Sequence, residues 1–253
     1  MCTLVLLRRP TERWPVLIAA NRDEMAARPW SSPARHWPDR PEVVAGRDDL
    51  AGGSWLGMND YGVVAAILNR MGSLGPAAGK RSRGELVLEA LDHADAAVAA
   101  DALAHLDGRA WRPFNLVVAD NRDAYWIRGA GGARVEVRTI GAGLHMLTAL
   151  DIDDTASPRV SAYLPRFRAA AIPDPGAGQW TAWQELMADA GTSADGEEVA
   201  AMTFVRPDGF GTVSSALIGL PAPEAEGAEP VWLFAAGRPG AVPYLPVATG
   251  LPG

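Results

Sequence analysis

The sequence contains a single cysteine, and this scarcity excludes several classes of protein. One cysteine in 253 residues cannot form a disulfide within the chain, so nothing in the sequence requires an oxidising compartment. The four histidines share no spacing that is typical of a metal site. We therefore predict no metal centre and no required cofactor.

Excess positive charge and long apolar runs are also missing. The formal net charge is −7, which argues against binding to nucleic acid or to an anionic membrane surface. No apolar run reaches the roughly 18 residues that a membrane-spanning helix needs. The short apolar run near the start precedes Arg8 and Arg9 instead of following basic residues, unlike a signal peptide. These patterns predict a cytoplasmic protein without an integral membrane segment.

The one cysteine stands at position 2, directly before the apolar run Thr3–Leu7. Removal of the initiator methionine, which is usual before a small residue, places a thiol and a free α-amine on the same residue. Their unperturbed pKa values, about 8.5 and about 8, lie close to neutral pH. The amine can then act as general base for the thiol. The alternative is that Cys2 is a small buried apolar residue at the start of a strand.

Two apolar runs, Cys2–Leu7 and Val16–Ala20, flank a turn and predict an antiparallel hairpin that is buried on both faces. Four polar residues, Asn21–Glu24, follow the second run directly. The position of the turn sets residues 21–23 beside Cys2. Alternation along a strand then puts Asn21 and Asp23 on one face and Arg22 on the other. We therefore expect Asp23 within hydrogen-bond reach of residue 2.

The rest of the chain alternates between strands and helices without a linker, which predicts one domain over residues 1–253. We predict a helix over about 83–106 that is capped by Ser82 and Glu85. The alternative is a helix that is broken near Asp101. Two further helices are predicted at about 158–170 and 180–190. Irregular loops are predicted at 28–41 and 46–53. The predicted strands are 54–58, 63–68, 115–119, 125–127, 135–140, 144–148, 203–205, 213–220 and 231–235.

Several strings match a known family in the right order: Met1–Thr3, Asn21–Glu24, Gly46–Asp48, Ala51–Gly57 and the strand end at Asn69. They resemble the motifs of the NRDE family, which is also called the transport and Golgi organisation family. The resemblance implies an α+β fold of the N-terminal-nucleophile hydrolase type, a four-layer αββα sandwich of antiparallel sheets.

The hairpin from Gly57 to Asn69 also resembles that of penicillin V acylases and bile-salt hydrolases with an N-terminal cysteine. In those enzymes the asparagine that closes the hairpin helps to form the oxyanion hole, and this implies the same role for Asn69. Their second strand places an Arg and an Asp near the cysteine, which implies Arg22 and Asp23. Those enzymes read Arg-Asn-x-Asp, whereas this chain reads Asn-Arg-Asp.

Two later positions depart from the family pattern. Ala149 stands where the family has an asparagine, and Val213 stands where it has an arginine. Arg206 and Asn115 are the candidates to replace the missing side chains.

The resemblance implies an amidohydrolase that cleaves a carbon–nitrogen bond of a small acylated substrate. Cys2 attacks the carbonyl, its own amine transfers the proton, Asp23 orients the amine, and Asn69 stabilises the oxyanion. We take Asn21, Trp55 and Asn115 as candidate substrate-binding residues. The alternative is a non-catalytic protein that binds or traffics haem or lipid, because some family members are linked to such handling. Its candidate iron ligands are Cys2, His36 and His145.

Overall fold

A computed structural model describes residues 2–191 and 200–250. The chain forms two compact units, Met1–Arg28 with Ala142–Val247, and Pro29–Gly141 with Ala248–Gly253. The described strands are β1 (Thr3–Arg8), β2 (Val16–Met25), β3 (Trp30–Ala34), β4 (Val43–Asp48), β5 (Ser54–Asn59), β6 (Val64–Asn69), β7 (Phe114–Ala119), β8 (Ala124–Gly129), β9 (Val135–Thr139), β10 (Gly143–Leu147), β11 (Phe210–Leu220), β12 (Val231–Ala235) and β13 (Leu245–Pro246). The described α-helices are α1 (Gly84–Leu91), α2 (Ala96–Ala104), α3 (Pro158–Ala169) and α4 (Thr181–Ala188).

The first unit is built on an antiparallel sheet with the strand order β10-β1-β2-β11-β12-β13. One face of this sheet packs on α3 and α4. Val5 and Leu17 on the sheet share a buried cluster with Phe167 and Trp183 on the helices. Ser157 caps α3 by accepting a hydrogen bond from the Val160 N–H.

The second unit is built on an antiparallel sheet with the strand order β3-β4-β5-β6-β7-β8-β9. Helices α1 and α2 cover one face, where Ala65 and Leu116 of the sheet pack with Leu86 and Leu103 of the helices. Each unit therefore combines an antiparallel sheet with helices on one face, which confirms the predicted α+β class. Within residues 2–191 and 200–250, no helix has both the length and the apolar composition that crossing a membrane requires.

The predicted long helix is wrong in its continuity. It is broken between Leu91 and Ala96, ahead of Asp101. Asp95 causes the break, because its carboxylate accepts hydrogen bonds from the N–H groups of Ala97 and Val98 and starts a new helix.

The predicted cap of the first helix is wrong as well. The Ser82 hydroxyl accepts from the Gly84 N–H, and the Glu85 carboxylate pairs with Arg81. Neither side chain therefore forms the reciprocal cap that the sequence predicted.

Several predicted strands and loops also differ from the structure. Residues 28–41 and 46–53 are not wholly irregular, since they include β3 and the end of β4. Residues 203–205 form no strand, and Val205 makes only an isolated bridge to Gly211. The second strand continues through Asn21–Glu24 to Met25, because these residues pair with the first half of β11.

Candidate functional site

The hairpin of β1 and β2 positions the candidate residues of the first unit. Thr3 pairs with Asn21 and Leu4 pairs with Ala20, as the position of the turn predicted. The odd-numbered residues of this hairpin face α3 and α4, as the packing of Val5 and Leu17 there demonstrates. If the same register is continued by one residue, Cys2 lies opposite Arg22.

The thiol of Cys2 contacts the backbone of Asp23. The Asp23 N–H donates to Sγ at a donor–acceptor distance of 3.4 Å, and the thiol donates to the Asp23 carbonyl oxygen at 3.6 Å. The Cys2 sulfur therefore contacts the N–H and the carbonyl oxygen of Asp23, which lies just beyond the last paired residues of the hairpin. This arrangement fixes the thiol at the open end of the β1–β2 ladder.

The environment of Cys2 favours the neutral thiol. Although the residue as a whole is only partly buried, desolvation of the sulfur raises the pKa of the Cys2 thiol, and the nearby Asp23 carboxylate raises it further. Arg22 acts in the opposite direction, because its positive charge favours the thiolate. The hydrogen bond from the backbone N–H of Asp23 lowers the pKa of the thiol as well.

The Asp23 side chain faces the helices and is completely enclosed. Its Oδ2 lies 3.1 Å from Nη1 of Arg159, and the exposed fractions of the two side chains are 0% and 7%. Its Oδ1 accepts a hydrogen bond from Thr212 Oγ1 at 2.7 Å. The same Arg159 nitrogen donates to Thr3 Oγ1 at 2.6 Å. Asp23 is thus the centre of a buried network that joins β1, β2, β11 and α3.

Sequence reasoning missed two members of this network. Arg159 is the second residue of a predicted helix, where a basic residue gives no signal of a buried ion pair. Thr212 directly precedes Val213, the position at which the family pattern has an arginine. The partner of Asp23 in this pair is Arg159 on α3.

Arg22 and Asn21 occupy different surroundings. Arg22 is 6% exposed and pairs across the sheet with Ser214. Asn21 is buried and donates through Nδ2 to the carbonyl oxygens of Met187 and Met202 at 3.0 and 2.9 Å. Asn21 therefore ties β2 to the end of α4, so both of its N–H donors are used inside the protein.

The remaining predicted residues belong to the second unit. Asn69 is the last residue of β6 and pairs with Phe114. Asn115 is fully buried, and its Oδ1 accepts from Arg70 Nη1 at 2.6 Å and from Trp126 Nε1 at 3.2 Å. Its carbonyl oxygen is therefore engaged within the unit.

The indole of Trp55 packs closely on the backbone of its own sheet. A Cβ added at Gly46 would lie 2.3 Å from the Trp55 ring. The ring also meets Trp30 edge to face, with 5.7 Å between the ring centroids. Trp55 is partly exposed, so part of its surface remains accessible in this unit.

The two departures from the family pattern are both visible in the first unit. Ala149 is buried just after β10, and Val213 occupies the bulge in β11 between Thr212 and Ser214. Arg206 is exposed, and its guanidinium lies over the rings of Phe204 and Phe210 at 5.6 and 5.7 Å. The Arg206 side chain therefore contacts one buried and one partly buried aromatic ring.

The structure gives little support for a metal centre. Among the described residues, no group of three or more His, Cys, Asp or Glu side chains could hold a metal ion. His145 Nδ1 lies 2.7 Å from Asp153 Oδ2, and its buried Nε2 has no hydrogen-bond partner within the described ranges. His36 Nε2 contacts the Ser32 carbonyl oxygen at 2.8 Å. His36 and His145 are therefore each engaged through one ring nitrogen.

Comparison with known proteins identifies relatives in sequence. A family model described as "Transport and Golgi organisation 2" matches residues 1–218. The Transport and Golgi organization protein 2 homolog of Homo sapiens is 35% identical over 124 residues, which are 44% of this chain and 42% of that protein. The chain thus spans less than half the length of this curated relative.

Solved structures share the fold at low sequence identity. The Caenorhabditis elegans ortholog of N-acylethanolamine-hydrolyzing acid amidase has a TM-score of 0.55 and 13% identity, over 88% of this chain and 95% of its own. A variant of conjugated bile acid hydrolase from Clostridium perfringens has a TM-score of 0.53 and 13% identity, over 97% of this chain and 92% of its own. At this identity the likeness shows the fold alone, and it confirms the predicted N-terminal-nucleophile hydrolase type.

Proposed function

The chain belongs to the transport and Golgi organisation 2 family, and we propose that it is an amidohydrolase whose nucleophile is the Cys2 thiol after removal of Met1. The observation that carries this proposal is the position of the thiol, which contacts both backbone groups of Asp23 at the end of the hairpin. The fold supports it as well, since the names of the two similar structures are those of an amidase and a hydrolase.

The proposed reaction proceeds through a thioester. The thiol proton passes to the α-amine of Cys2 while sulfur forms a bond to the carbonyl carbon of the substrate. The C–N bond then breaks, and the ammonium returns the proton to the leaving amine. Water hydrolyses the thioester, which releases the acid and restores the thiol. A backbone N–H group is the proposed oxyanion donor, and the oxyanion role of Asn69 stays a prediction.

The roles of the neighbouring residues follow from their charges. Arg22 favours the thiolate electrostatically. Asp23 supplies the backbone groups that hold the sulfur, and we propose that its carboxylate also attracts the α-ammonium of processed Cys2. Asn21, Trp55 and Asn115 stay predictions as substrate-binding residues, and so does a cytoplasmic location. The substrate is proposed only as a small acylated amine.

A panel of acylated amines tests the hydrolase function. The processed protein is expected to release free amine from at least one member, and Cys2→Ala is expected to stop the release. Cys2→Ser is the matched variant, because it keeps the shape of the side chain but has a weaker nucleophile. Amine release that persists in Cys2→Ala would contradict the proposal.

The second candidate is a non-catalytic protein that binds haem or lipid. One observation favours it: His145 donates through Nδ1 to the Asp153 carboxylate and leaves Nε2 without a partner among the described residues. Metal-ligating histidines use this arrangement. The name of the human relative refers to transport and Golgi organisation. A saturable, stoichiometric haem complex that is lost in His145→Ala, together with no amide turnover, would favour this candidate.

A further inference from the structure

We propose that Arg159 is a positioning residue for the Cys2 thiol, because it holds Asp23 and Thr3 together at the end of the hairpin where the thiol lies. The inference builds on the proposed role of Cys2 as nucleophile. It assigns to α3 a part in the site that the sequence does not indicate.

One nitrogen of Arg159 contacts both strands of the hairpin. Nη1 donates to Thr3 Oγ1 on β1 at 2.6 Å and to Asp23 Oδ2 on β2 at 3.1 Å. Thr3 is the neighbour of Cys2 in the chain, and Asp23 contacts the thiol through its N–H and its carbonyl oxygen. The guanidinium is therefore bonded to both residues that determine where the sulfur lies.

The four side chains of the network around Asp23 are buried, which restricts their rearrangement. Thr3, Asp23, Arg159 and Thr212 are exposed by only 1%, 3%, 6% and 4%. Thr212 holds the other carboxylate oxygen of Asp23 from β11. A buried ion pair is not in itself a source of stability, because desolvating both charges costs about as much as the attraction returns. Positioning of the hairpin end therefore explains this buried pair better than stability does.

Arg159 also pairs with the carboxylate that acts on the thiol. The charged groups that act on Cys2 are Asp23 and Arg22, together with the α-amine of the processed chain. Asp23 disfavours the thiolate, and Arg159 balances the Asp23 carboxylate. Loss of Arg159 removes one positive charge from beside the Asp23 carboxylate and so disfavours the thiolate, whereas loss of the Asp23 charge favours the thiolate.

The test measures alkylation of Cys2 by iodoacetamide as a function of pH, on the full processed chain and without any substrate. Arg159→Met is expected to raise the midpoint of the pH profile by about one pH unit and to slow alkylation about tenfold at neutral pH. Asp23→Asn is expected to lower the midpoint, and the double variant is expected to lie between the two. Arg159→Lys is expected to restore the wild-type midpoint, because one ammonium can replace the single nitrogen that makes both bonds.

Arg166→Met is the matched control. Arg166 lies on the same helix and pairs with Asp189 at 2.6 Å, so its loss also removes an ion pair of α3 and is expected to leave the midpoint unchanged. Equal midpoints in Arg159→Met, Arg159→Lys and wild type would overturn the proposal, as would a wild-type thiol that never reacts in the folded protein. If Arg159→Met does not fold, Asp23→Asn and Arg159→Lys decide the question: the first is expected to lower the midpoint and the second to keep the wild-type value. A midpoint that Asp23→Asn leaves unchanged would then overturn the proposal. Failure to find an amide substrate would contradict the proposed hydrolase function. The midpoints would still test the role of Arg159, because they are measured without substrate.

Discussion

Removal of Met1 should change the acidity of the Cys2 thiol more than any substitution of a neighbouring side chain. In the unprocessed chain, burial and the Asp23 carboxylate raise the pKa of the thiol. Removal of Met1 brings the terminal ammonium one residue closer to the Cys2 sulfur. The distance between them falls from roughly 8 Å to roughly 4 Å, since successive Cα atoms are about 3.8 Å apart. In an effective dielectric constant of about 20, attraction to a thiolate rises from about 2 to about 4 kcal/mol. The gain of about 2 kcal/mol equals about 1.5 pKa units.

The assay compares two forms of one sequence. The processed protein and a form that retains Met1, made by blocking methionine removal, are alkylated with iodoacetamide across the pH range and followed by intact mass. The processed form is expected to react with a midpoint about 1.5 units lower, and therefore about thirtyfold faster at neutral pH. Identical profiles in the two forms would refute the reasoning, because the amine would then have no influence on the sulfur.

Three further outcomes are expected from the described contacts. Thr212→Val should lower the free energy of unfolding by about 1–3 kcal/mol, because a buried oxygen of Asp23 loses its donor. Thr212→Ser keeps the hydroxyl and should lower that free energy much less. Equal decreases for the two variants in chemical denaturation would contradict this. Asp95→Ala removes the cap of α2 and should cost about 1 kcal/mol by the same measurement, and an unchanged midpoint would show that the cap is not needed. Burial, opposed by the hydrogen bond between Tyr244 and Ser215, raises the pKa of Tyr244 to about 12, above the unfolded value of about 10. The associated stability is therefore present below pH 10 and is lost as the pH rises towards 12, and Tyr244→Phe should flatten that slope.

The hairpin at the start of the chain was predictable because its register depends on a local turn. Residues 10–13 fix which residues of β1 and β2 face each other, so Thr3 opposite Asn21 follows from nearby sequence. The true length of β2 was not predictable in the same way. Asn21–Glu24 are polar, and they remain in the strand because β11, nearly 190 residues later in the chain, pairs with them.

The partners of Asp23 illustrate the same limit at the site. Alternation correctly separated the faces of Asp23 and Arg22, but no local pattern distinguishes Arg159 from the solvent-exposed arginines of α3. Its burial depends on how α3 packs over the sheet, and only the three-dimensional structure reveals the ion pair with Asp23. The break between α1 and α2, in contrast, had a local signal, because Asp95 is a typical helix N-cap. The helical spacing of apolar residues continues across it and predicted a single helix.

The most direct test of the nucleophile is the mass of the acylated protein. The processed chain is mixed with activated acyl amides, quenched in acid within a turnover, and digested so that the N-terminal peptide can be weighed. The account predicts that this peptide gains the mass of the acyl group as a thioester on Cys2, that hydroxylamine removes it, and that Cys2→Ala never acquires it. An acyl group on another residue during amide turnover, or amine release with no adduct at any quench time and undiminished in Cys2→Ala, would contradict the account.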